Sequence, residues 1–366
     1  MKRTGISDLP LHYGRPPEKL FKHMVDLTGA IMELINSWYG SHTLLKRMSD
    51  PIWFQSLSLV TGFDWNSSGT TTSTLYALKE SLKESHTGIS MAGGKGKDMI
   101  NTINEIEKSV NEGVLKEQEG IRLKNYSRRI ARADSNLLQD GYDLYIHSIL
   151  YSDQNNWTII QQGMDQDERM ARRYQWHSSM AGEILDDGRS GIFSQESKDR
   201  VLDLTTSKSR ENREGMIDAV KDPLILRTIS NVNKKGQFKL DYFQENLKIT
   251  SYDVKVNWEN LREIYEFQPS NFDELFMMKG VGKSAIRALS YISEVIMGKA
   301  PSYSDPLRYT FALGGKDGIP KPVNYADYDT AIEFFMEILR SVKMTDTEKR
   351  RKLEKLTQLS IKFIRP

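Results

Sequence analysis

No cysteine occurs among the 366 residues of the chain. This absence excludes disulfide bonds, zinc sites with thiolate ligands and a cysteine nucleophile, and it is typical of a cytoplasmic protein. No apolar run approaches the ~20 residues that a membrane-spanning helix needs. The segment from Met1 to Leu20 also lacks the apolar stretch of a secretory signal. We therefore expect a cytoplasmic protein without a membrane partner.

The chain also lacks a large excess of charge of either sign. Its 51 lysines and arginines and 49 acidic residues leave a net charge of only +2, so composition alone does not predict a polyanionic partner. Two local surpluses of lysine and arginine, over Lys116–Arg132 and Lys343–Arg365, could face phosphate groups. The alternative is that each run is a solvated helix face, as charge runs usually are.

Length is the first guide to domain organisation. A chain of 366 residues is longer than one core usually serves, so two domains are expected. The polar segment Thr205–Gly215 (TTSKSRENREG) has almost nothing to bury, which predicts a linker or an exposed helix. We predict an α+β fold with a mixed N-terminal domain over residues 1–210 and a mainly α-helical C-terminal domain over residues 211–366.

Local signals predict the main elements of both halves. Asp50 and Pro51 are typical of a helix start. The stretch HTGISMAGGKGK predicts a strand that ends in a glycine loop, and NNWTIIQQGM predicts a buried strand. Helix is predicted throughout Ser127–Leu150. Gly298 is placed as the C-terminal cap of the last of three later helices. These three helices are predicted over Trp258–Phe267, Asn271–Met278 and Ser284–Met297.

A glycine, an apolar residue and a second glycine separate the last two of these helices. Glycine allows positive φ and close approach of another backbone, and Val281 can plug the groove between the helices. Backbone N–H groups at the start of the second helix are then free to bind a phosphate oxygen, and the flanking lysines add attraction without sequence preference. This pattern predicts a helix-hairpin-helix that binds DNA, and the alternative is an ordinary turn without a ligand. The predicted DNA-binding residues are Lys279, Gly280, Val281, Gly282, Lys283 and Ser284.

The N-terminal half contains the candidates for catalysis. The GGKGK turn carries Lys95 and Lys97, which could reach a sugar carbon or a phosphate; it lacks the Walker A spacing, and an exposed basic turn is the alternative. The loop GFDWNSSGTTT, which contains Asp64, could cradle a phosphate or be a capped loop. A nuclease needs clustered carboxylates for Mg²⁺, but no spacing singles out a pair, so no metal ligand is predicted. The further catalytic candidates are Asp140, His147 and Gln161.

Several of these side chains have a structural alternative. His147 in LYIHSIL is more often a satisfied core histidine than a catalyst. The rings of Trp53, Trp65, Tyr174 and Trp176 could stack on an exposed base. Such rings more often belong to a hydrophobic core.

Stretches along most of the chain match those of a known family. In chain order they are KRTGISDLPLHYGRPP, MSDPIWFQSLSLVTGFDWNSSGTTT, AGGKGK, LLQDGYDLYIH, WTIIQQGM, ARRYQW, VLDLT, KGVGKSAIRALSYISEVIMG and PLRYTFALGGKDGIPKPV. Through these stretches the chain as a whole resembles a largely archaeal, uncharacterised family, domain of unknown function 763. The resemblance implies an archaeal protein of nucleic-acid metabolism that acts on DNA and has a C-terminal helix-hairpin-helix, but it implies no agreed mechanism.

This chain departs from the family pattern at several positions. Histidine is typical of the family where Asn66, Gln175 and Leu313 stand here, and Pro-Lys is typical where this chain has Lys283-Ser284. The resemblance therefore does not carry a metal-dependent or histidine-dependent mechanism over to this chain.

The predicted hairpin is also similar to that of base-excision glycosylases, which place a catalytic lysine just after the hairpin and an aspartate further along the chain. Here the lysine position best matches Ser284, with Lys283 one position early, and Asp305 is the candidate aspartate. Serine at this position favours the hydrolytic reaction over one that proceeds through a Schiff base. The alternative is that Asp305 starts a turn before Pro306.

The sequence thus favours a DNA-binding protein of DNA repair. As a hydrolase it would be a lesion-directed DNA glycosylase or a nuclease, with the chemistry in the N-terminal domain. The competing hypothesis is a non-catalytic DNA-binding or scaffold protein. DNA is the predicted partner, and the sequence neither names a cofactor nor decides whether the protein is an enzyme.

Overall fold

The computed structural model describes residues 18–61, 68–85, 87–194, 197–223, 258–307 and 309–310. Runs of helices and runs of strands follow one another along this part of the chain, which confirms the coarse prediction of a mixed α and β fold. Within the same ranges, no helix combines the length and the apolar character needed to cross a membrane.

The helices are α1 (Glu18–Met48), α2 (Pro51–Thr61), α3 (Ser68–Leu82), α4 (Lys97–Ile100), α5 (Thr102–Asn111), α6 (Glu117–Arg132), α7 (Arg210–Lys221), α8 (Trp258–Phe267), α9 (Phe272–Met277) and α10 (Lys283–Met297). The strands are β1 (Ile89–Lys95), β2 (Leu138–Gln139), β3 (Asp143–Ser152), β4 (Trp157–Asp165), β5 (Met170–His177), β6 (Arg189–Ser194), β7 (Leu202–Asp203) and β8 (Tyr309–Thr310). Shorter helical turns lie at Ala133–Leu137, which is a π-helix, and at Ser178–Glu183 and Ser207–Ser209.

Six strands form the main sheet in the order β1-β3-β4-β5-β6-β8. Neighbouring strands are antiparallel except for β6 and β8, which are parallel. Strands β2 and β7 form a separate pair. Because β3 lies between β1 and β4, the glycine-rich end of β1 is held beside the beginning of β3.

Both faces of the main sheet are covered by helices, as the alternation of side chains along β3 and β4 indicates. Leu150 and Ile160 belong to a hydrophobic cluster with residues of α1, α2 and α3. Their neighbours Ile149 and Ile159 belong to a larger cluster with residues of α5, α6, α7, α9 and α10. Consecutive residues of a strand point to opposite faces, so the sheet separates two layers of helices.

Three helix ends follow their sequence signals. Asp50 Oδ1 accepts from two backbone N–H groups at 2.8 and 3.0 Å at the start of α2. The side chain of Asn271 accepts from the N–H of Glu274 at 2.9 Å and caps α9. Gly298 has φ 71° and ends α10 as predicted. The predicted strands at β1 and β4 are confirmed as well.

The predicted helix over Ser127–Leu150 is wrong beyond Leu137. There the π-helical turn that follows α6 ends, and the chain enters β2 and β3. Gly141, with φ 93°, takes a conformation that a helix interior does not accept. The segment LYIHSIL then pairs with β1 on one side and β4 on the other, so sheet pairing overrides the helix-like spacing of its apolar residues.

The prediction of a linker or an exposed helix over Thr205–Gly215 is also wrong. This segment begins α7, and Asn212 within it is fully buried. Its Nδ2 donates to the carbonyls of Ser290 at 3.0 Å and Lys299 at 2.7 Å. A polar side chain can be buried when its hydrogen bonds are made inside, so polar composition did not indicate exposure here.

The division of the chain near residue 210 stays a prediction. The larger hydrophobic cluster contains Leu137 and Leu204, which precede residue 210, and Met216 and Phe276, which follow it. The described residues of the two predicted domains therefore share one core.

Candidate functional site

The helices α9 and α10 are joined by a short turn, Met278–Gly282, which we call the α9–α10 turn. Val281 within it is 2% exposed and packs into the larger hydrophobic cluster, as predicted. Full burial of a valine side chain contributes about 1.5–3 kcal/mol. Gly280 has φ 88°, a conformation that side chains other than glycine rarely adopt. The turn thus has an apolar anchor on its inner side and exposed Lys279 and Gly280 on its outer side.

The start of α10 leaves backbone donors open to solvent. Gly282 is the N-cap and offers no side-chain oxygen, and the first helical bond is donated by Ile286 to the Gly282 carbonyl at 3.1 Å. The N–H groups of Lys283 and Ser284 consequently have no acceptor within the helix. Among the described residues no side chain accepts from them either, and Ser284 is exposed.

Gly282 is not required by the fold at its position. Its backbone is extended, with φ −107° and ψ −175°, a conformation that any residue can adopt. A Cβ atom added there would meet no described atom within 4 Å. Serine or aspartate would therefore fit and would cap α10, yet the position is occupied by the residue that leaves the donors uncovered.

Side chains from the other half of the chain hold the α9–α10 turn in place. Arg132 Nη1 donates to the carbonyls of Phe276 and, at 2.8 Å, Met278. Asn136 Nδ2 donates to the Val281 carbonyl at 3.4 Å. These donors lie at the end of α6 and in the π-helical turn, a type of irregularity that is frequent at functional sites.

The basic run over Lys116–Arg132 is therefore divided between two roles. Arg129 is paired with Asp273 at 2.6 Å, and Arg132 binds the end of α9, so both position the turn. Arg122 and Arg128 are exposed. The second basic run, over Lys343–Arg365, lies outside the described residues.

Not all charge near the turn is positive. Lys283 Nζ lies 2.8 Å from Asp143 Oδ1, and that carboxylate is 84% exposed. Lys279 is exposed on the turn and forms no ion pair with another described residue. The positive charge at the turn thus comes from Lys279 and Arg132, and Asp143 offsets Lys283.

The GGKGK turn, which we call the β1 turn (Gly93–Lys97), has a structural reason for its first glycine. A Cβ atom on Gly93 would lie 2.2 Å from the His147 carbonyl oxygen. The Gly93 N–H donates to Glu105 at 2.8 Å, and its carbonyl accepts from Lys79 Nζ at 2.8 Å. Lys95 and Lys97 project from this rigid turn and are exposed.

A small cleft opens beside the β1 turn, between α3 and the end of β1. Its volume is about 80 Å³. We call it the β1 cleft, and it is lined by Thr72, Leu75, Tyr76, Lys79, Met91, Gly93, Gly94, Lys95, Asp98 and Ile146. Of the predicted catalytic residues that the structure describes, Lys95 is the one that lines it.

His147 and Gln161 lie together, but in the interior. His147 Nδ1 is 2.7 Å from Gln161 Oε1, and its Nε2 is 2.7 Å from the Ser127 hydroxyl. Gln161 in turn donates to Asp134. His147 is 4% exposed, and burial lowers its pKa to about 4 although the bond to Gln161 opposes the shift. This arrangement matches the core histidine that the sequence allowed as the alternative.

Asp140 and Asp305 meet at a buried arginine. Arg172 Nη1 lies 3.2 Å from Asp140 Oδ2, and Arg172 Nη2 lies 2.8 Å from Asp305 Oδ2. Asp305 also accepts the backbone N–H groups of Lys198 at 2.7 Å and Leu307 at 3.0 Å. Burial lowers the pKa of Arg172, but the two carboxylates outweigh it and raise that pKa above its ordinary value. In this arrangement Asp305 ties the segment after α10 to β5.

Two of the predicted stacking rings are core residues. Tyr174 is fully buried and donates its hydroxyl to Asp140 at 2.8 Å, and Trp176 is 1% exposed and donates to Asp134 at 2.7 Å. Neither ring can reach a base. Asp64, Trp65, Asn66 and Leu313 lie outside the described residues, and Gln175 is buried with its Nε2 bonded to the Met48 carbonyl at 2.8 Å.

Sequence reasoning missed Tyr76, the exposed ring at the β1 cleft. This side chain is 52% exposed. The signal was present in TLYALKESL, because Leu75, Leu78 and Leu82 mark the apolar face of a helix and Tyr76 lies beside that face.

No group of three or more histidine, aspartate or glutamate side chains among the described residues is arranged to hold a metal ion. The described part of the chain thus presents two exposed lysine-bearing turns and a buried network of carboxylates and arginines.

One protein-family model matches residues 5–323 of the chain, and its description is "Protein of unknown function (DUF763)". No curated protein and no solved structure matches the chain.

Proposed function

Because the chain belongs to this family, DUF763, whose description names no activity, we propose a function from the geometry: the protein binds DNA through the phosphate backbone, with the contact at Lys279–Ser284. The finer fold prediction belongs to this proposal, namely that the helices of residues 211–366 form a DNA-binding domain with α9 and α10 as a helix-hairpin-helix.

The observation that carries the proposal is the absence of a cap at Gly282. A side chain would fit there and the backbone would accept it, so packing and conformation do not explain glycine. Close approach of an external anion does explain it, since phosphate oxygens bind the N–H groups at a helix start and need room to do so. Two N–H donors that have no acceptor within the helix, near a positive-φ glycine and a lysine, suit a phosphodiester.

The surrounding cations support a backbone contact rather than recognition of bases. Lys279 is exposed on the turn, and a lysine attracts phosphates without reading sequence. Arg132 adds positive charge beside the turn while its Nη1 is bonded to the carbonyls of Phe276 and Met278. Asp143 beside Lys283 weakens the attraction at one point. We therefore expect binding of modest affinity that is insensitive to sequence.

The catalytic part of the hypothesis is a lesion-directed glycosylase or a nuclease of DNA repair. The competing hypothesis, a non-catalytic DNA-binding or scaffold protein, is favoured by one observation. The candidates Asp140, His147, Gln161 and Asp305 are buried and bonded to one another or to Arg172. Exposed Lys95 remains the strongest catalytic candidate, because it alone of the described set lines a cleft.

The binding proposal is tested by fluorescence anisotropy with labelled DNA duplexes of several sequences. Replacing Gly280 and Gly282 together by glutamate places two negative charges at the phosphate contact, and we expect affinity for all sequences to fall by at least about tenfold. A matched control replaces two exposed residues, Asn111 at the end of α5 and Gln118 in the first turn of α6, by glutamate. It adds the same charge, and Gln118 lies about 21 Å along α6 from Arg132. Equal affinities of the two folded variants would overturn the proposal.

Catalysis is tested on duplexes that carry damaged bases, with and without Mg²⁺, followed by hot alkali. A glycosylase leaves strands that break only after alkali, whereas a nuclease yields broken strands directly. The variant with Lys95→Ala and Lys97→Ala should lose turnover and keep most of its binding if the β1 turn carries the chemistry. If the strands of every duplex stay intact, with and without alkali, the non-catalytic hypothesis is favoured.

A further inference from the structure

The β1 cleft lies on the face of the sheet that α1, α2 and α3 cover, and the α9–α10 turn lies on the opposite face. Lys95 pairs with Ile146 of β3, and the Gly96 N–H donates to the Tyr145 carbonyl at 3.1 Å. Two residues before Tyr145, Asp143 contacts Lys283 at 2.8 Å. Two residues of a strand span about 7 Å. The beginning of β3 therefore connects the two lysine-bearing turns at the same end of the sheet.

The size of the β1 cleft restricts what can enter it. Its volume of about 80 Å³ is several times the minimum of about 10–15 Å³ that a cavity needs to hold one water molecule. The cleft is thus suited to one flat ring and is far too small for a duplex.

The lining of the β1 cleft has the chemistry of a site for a nucleobase. Leu75, Met91 and Ile146 provide an apolar floor, and Tyr76 stands half exposed at the mouth. One face of the Tyr76 ring stacks on Phe21, with ring centroids 4.8 Å apart, which fixes the plane of the ring. Aromatic side chains that present a ring face stack with bases of any type.

The charged groups at the mouth are complementary to a nucleotide as well. Lys95 is exposed, with its Nζ 5.6 Å from the centre of the Tyr145 ring, and can reach a phosphate that flanks the base. Asp98 is exposed and can accept a hydrogen bond from an exocyclic amino group. Lys79 is excluded as a phosphate ligand because it is bound to Glu105 and to the Gly93 carbonyl.

We propose that the β1 cleft binds an unpaired base of the DNA strand whose backbone is held at the α9–α10 turn. The inference rests on the proposed function and names its substrate class: DNA in which a single-stranded segment adjoins a duplex, in preference to an intact duplex. The strand passes from one face of the sheet to the other around the beginning of β3, where Asp143 and Asp98 disfavour a continuous row of phosphates and leave Lys95 as the cation at the cleft.

The test compares a blunt duplex with the same duplex that carries a short single-stranded overhang, by fluorescence anisotropy. The native chain should bind the overhang substrate more tightly. Tyr76→Leu should weaken binding of the overhang substrate about fivefold or more, since base–aromatic stacking is worth ~1–3 kcal/mol, and leave binding of the blunt duplex unchanged. The matched control is Tyr39→Leu, a ring of similar exposure that is about 27 Å along α1 from Phe21.

A spectroscopic readout tests the stacking itself. An overhang that contains 2-aminopurine should change its fluorescence on binding to the native chain and to Tyr39→Leu, but not on binding to Tyr76→Leu. Equal affinity of the native chain for the two substrates, or equal weakening of both by Tyr76→Leu, would overturn the inference.

Failure of this inference is distinguishable from failure of the proposed function. If Gly280→Glu with Gly282→Glu weakens binding of both substrates while Tyr76→Leu changes neither, the turn is the contact and the cleft is not. If the double variant binds both substrates normally while Tyr76→Leu removes the preference for the overhang, the cleft binds the base and the turn does not hold the backbone.

Discussion

At the scale of single residues, the two glycine-containing turns differ in whether the fold requires glycine. Gly93 is required, because a side chain there would collide with the backbone of β3. Gly282 is permitted but not required. This difference, rather than the presence of glycine in both motifs, is the reason why we propose that an external ligand approaches at the α9–α10 turn.

Gly282→Ser provides a prediction in which stability and binding move in opposite directions. A serine hydroxyl can cap α10, so the free energy of unfolding should rise by a few tenths of a kcal/mol. The same hydroxyl occupies N–H groups that we assign to phosphate, so DNA affinity should fall. Urea unfolding and anisotropy on the same preparation measure both quantities. A serine variant that gains stability and binds DNA as well as the native chain would show that these donors are not used.

The lowered pKa of His147 predicts that the folded state loses stability in acid. Its pKa is lowered by burial to about 4 in the folded chain, against an ordinary value of 6.5. The unfolded chain therefore binds the proton first as the pH falls. Stability from this group is complete above pH 6.5 and is lost progressively down to about pH 4, by about 3 kcal/mol.

The measurement for His147 is urea unfolding at a series of pH values between 7 and 4. The variant His147→Gln should show a shallower loss of stability over this window, although its stability at pH 7 is lower because the bond to Ser127 is weakened. The comparison needs His177→Gln as a second variant, because burial also lowers the pKa of His177 to about 4. Parallel pH profiles of the native chain and His147→Gln would exclude His147 as the source.

At the scale of elements, the joint between α6 and α9 positions the proposed contact. Arg132 crosses from α6 to the carbonyl end of α9, where a cation is favourable for the helix dipole. Four residues earlier on the same helix, Arg128 is exposed. The two arginines have the same charge, but Arg132 is bonded to the α9–α10 turn and Arg128 is exposed. Substituting each in turn therefore separates loss of positioning from loss of charge.

We expect Arg132→Met to lower both the free energy of unfolding, by about 1–2 kcal/mol, and DNA affinity, because the turn loses its anchor. Arg128→Met should leave stability within about 0.5 kcal/mol and reduce the slope of log affinity against log salt by about 0.9, the value for one phosphate contact. Unfolding curves and a salt titration separate the two effects. Equal stability losses in the two variants would contradict the assigned positioning role of Arg132.

The elements also indicate where sequence reasoning works. Asp50, Asn271 and Gly298 mark helix ends through bonds to their nearest neighbours, so local sequence suffices to predict them. The strand β3 was predicted as helix because its place depends on pairing with β1 and β4, which no local pattern reports. The burial of Asn212 was missed for the same reason, since its acceptors lie far along the chain.

In the candidate site, too, features set by neighbouring residues could be predicted from the sequence, and contacts between distant residues could not. The α9–α10 turn and the β1 turn were predicted from glycines and lysines that are adjacent in sequence. That the two turns lie at one end of the sheet follows from the register of β3, which sequence does not give. The contact of Asp305 with Arg172 likewise joins residues that are far apart in the chain.

At the scale of the whole molecule, the predicted division near residue 210 has to be reconciled with a shared core. Ile130 and Leu137 lie in the same hydrophobic cluster as Val281 and Ile286. The chain on one side of residue 210 also holds the proposed DNA contact of the other side, through Arg132 and Asn136. Stability and binding should therefore depend on both parts.

A fragment that ends at Arg210 tests this dependence. Without α7, α9 and α10, the apolar side chains that α6 and the sheet present to them are left in water, and each buried side chain of this kind contributes about 1.5–3 kcal/mol when covered. We expect the fragment to lack a cooperative thermal transition in near-ultraviolet circular dichroism, and residues 211–366 alone to bind DNA more weakly than the whole chain because Arg132 is missing. Mixing the two fragments should restore the transition and part of the affinity, since the contacts are not covalent. A fragment 1–210 that unfolds cooperatively, with residues 211–366 binding DNA at full strength, would establish two independent domains and remove the positioning role that we assign to the first.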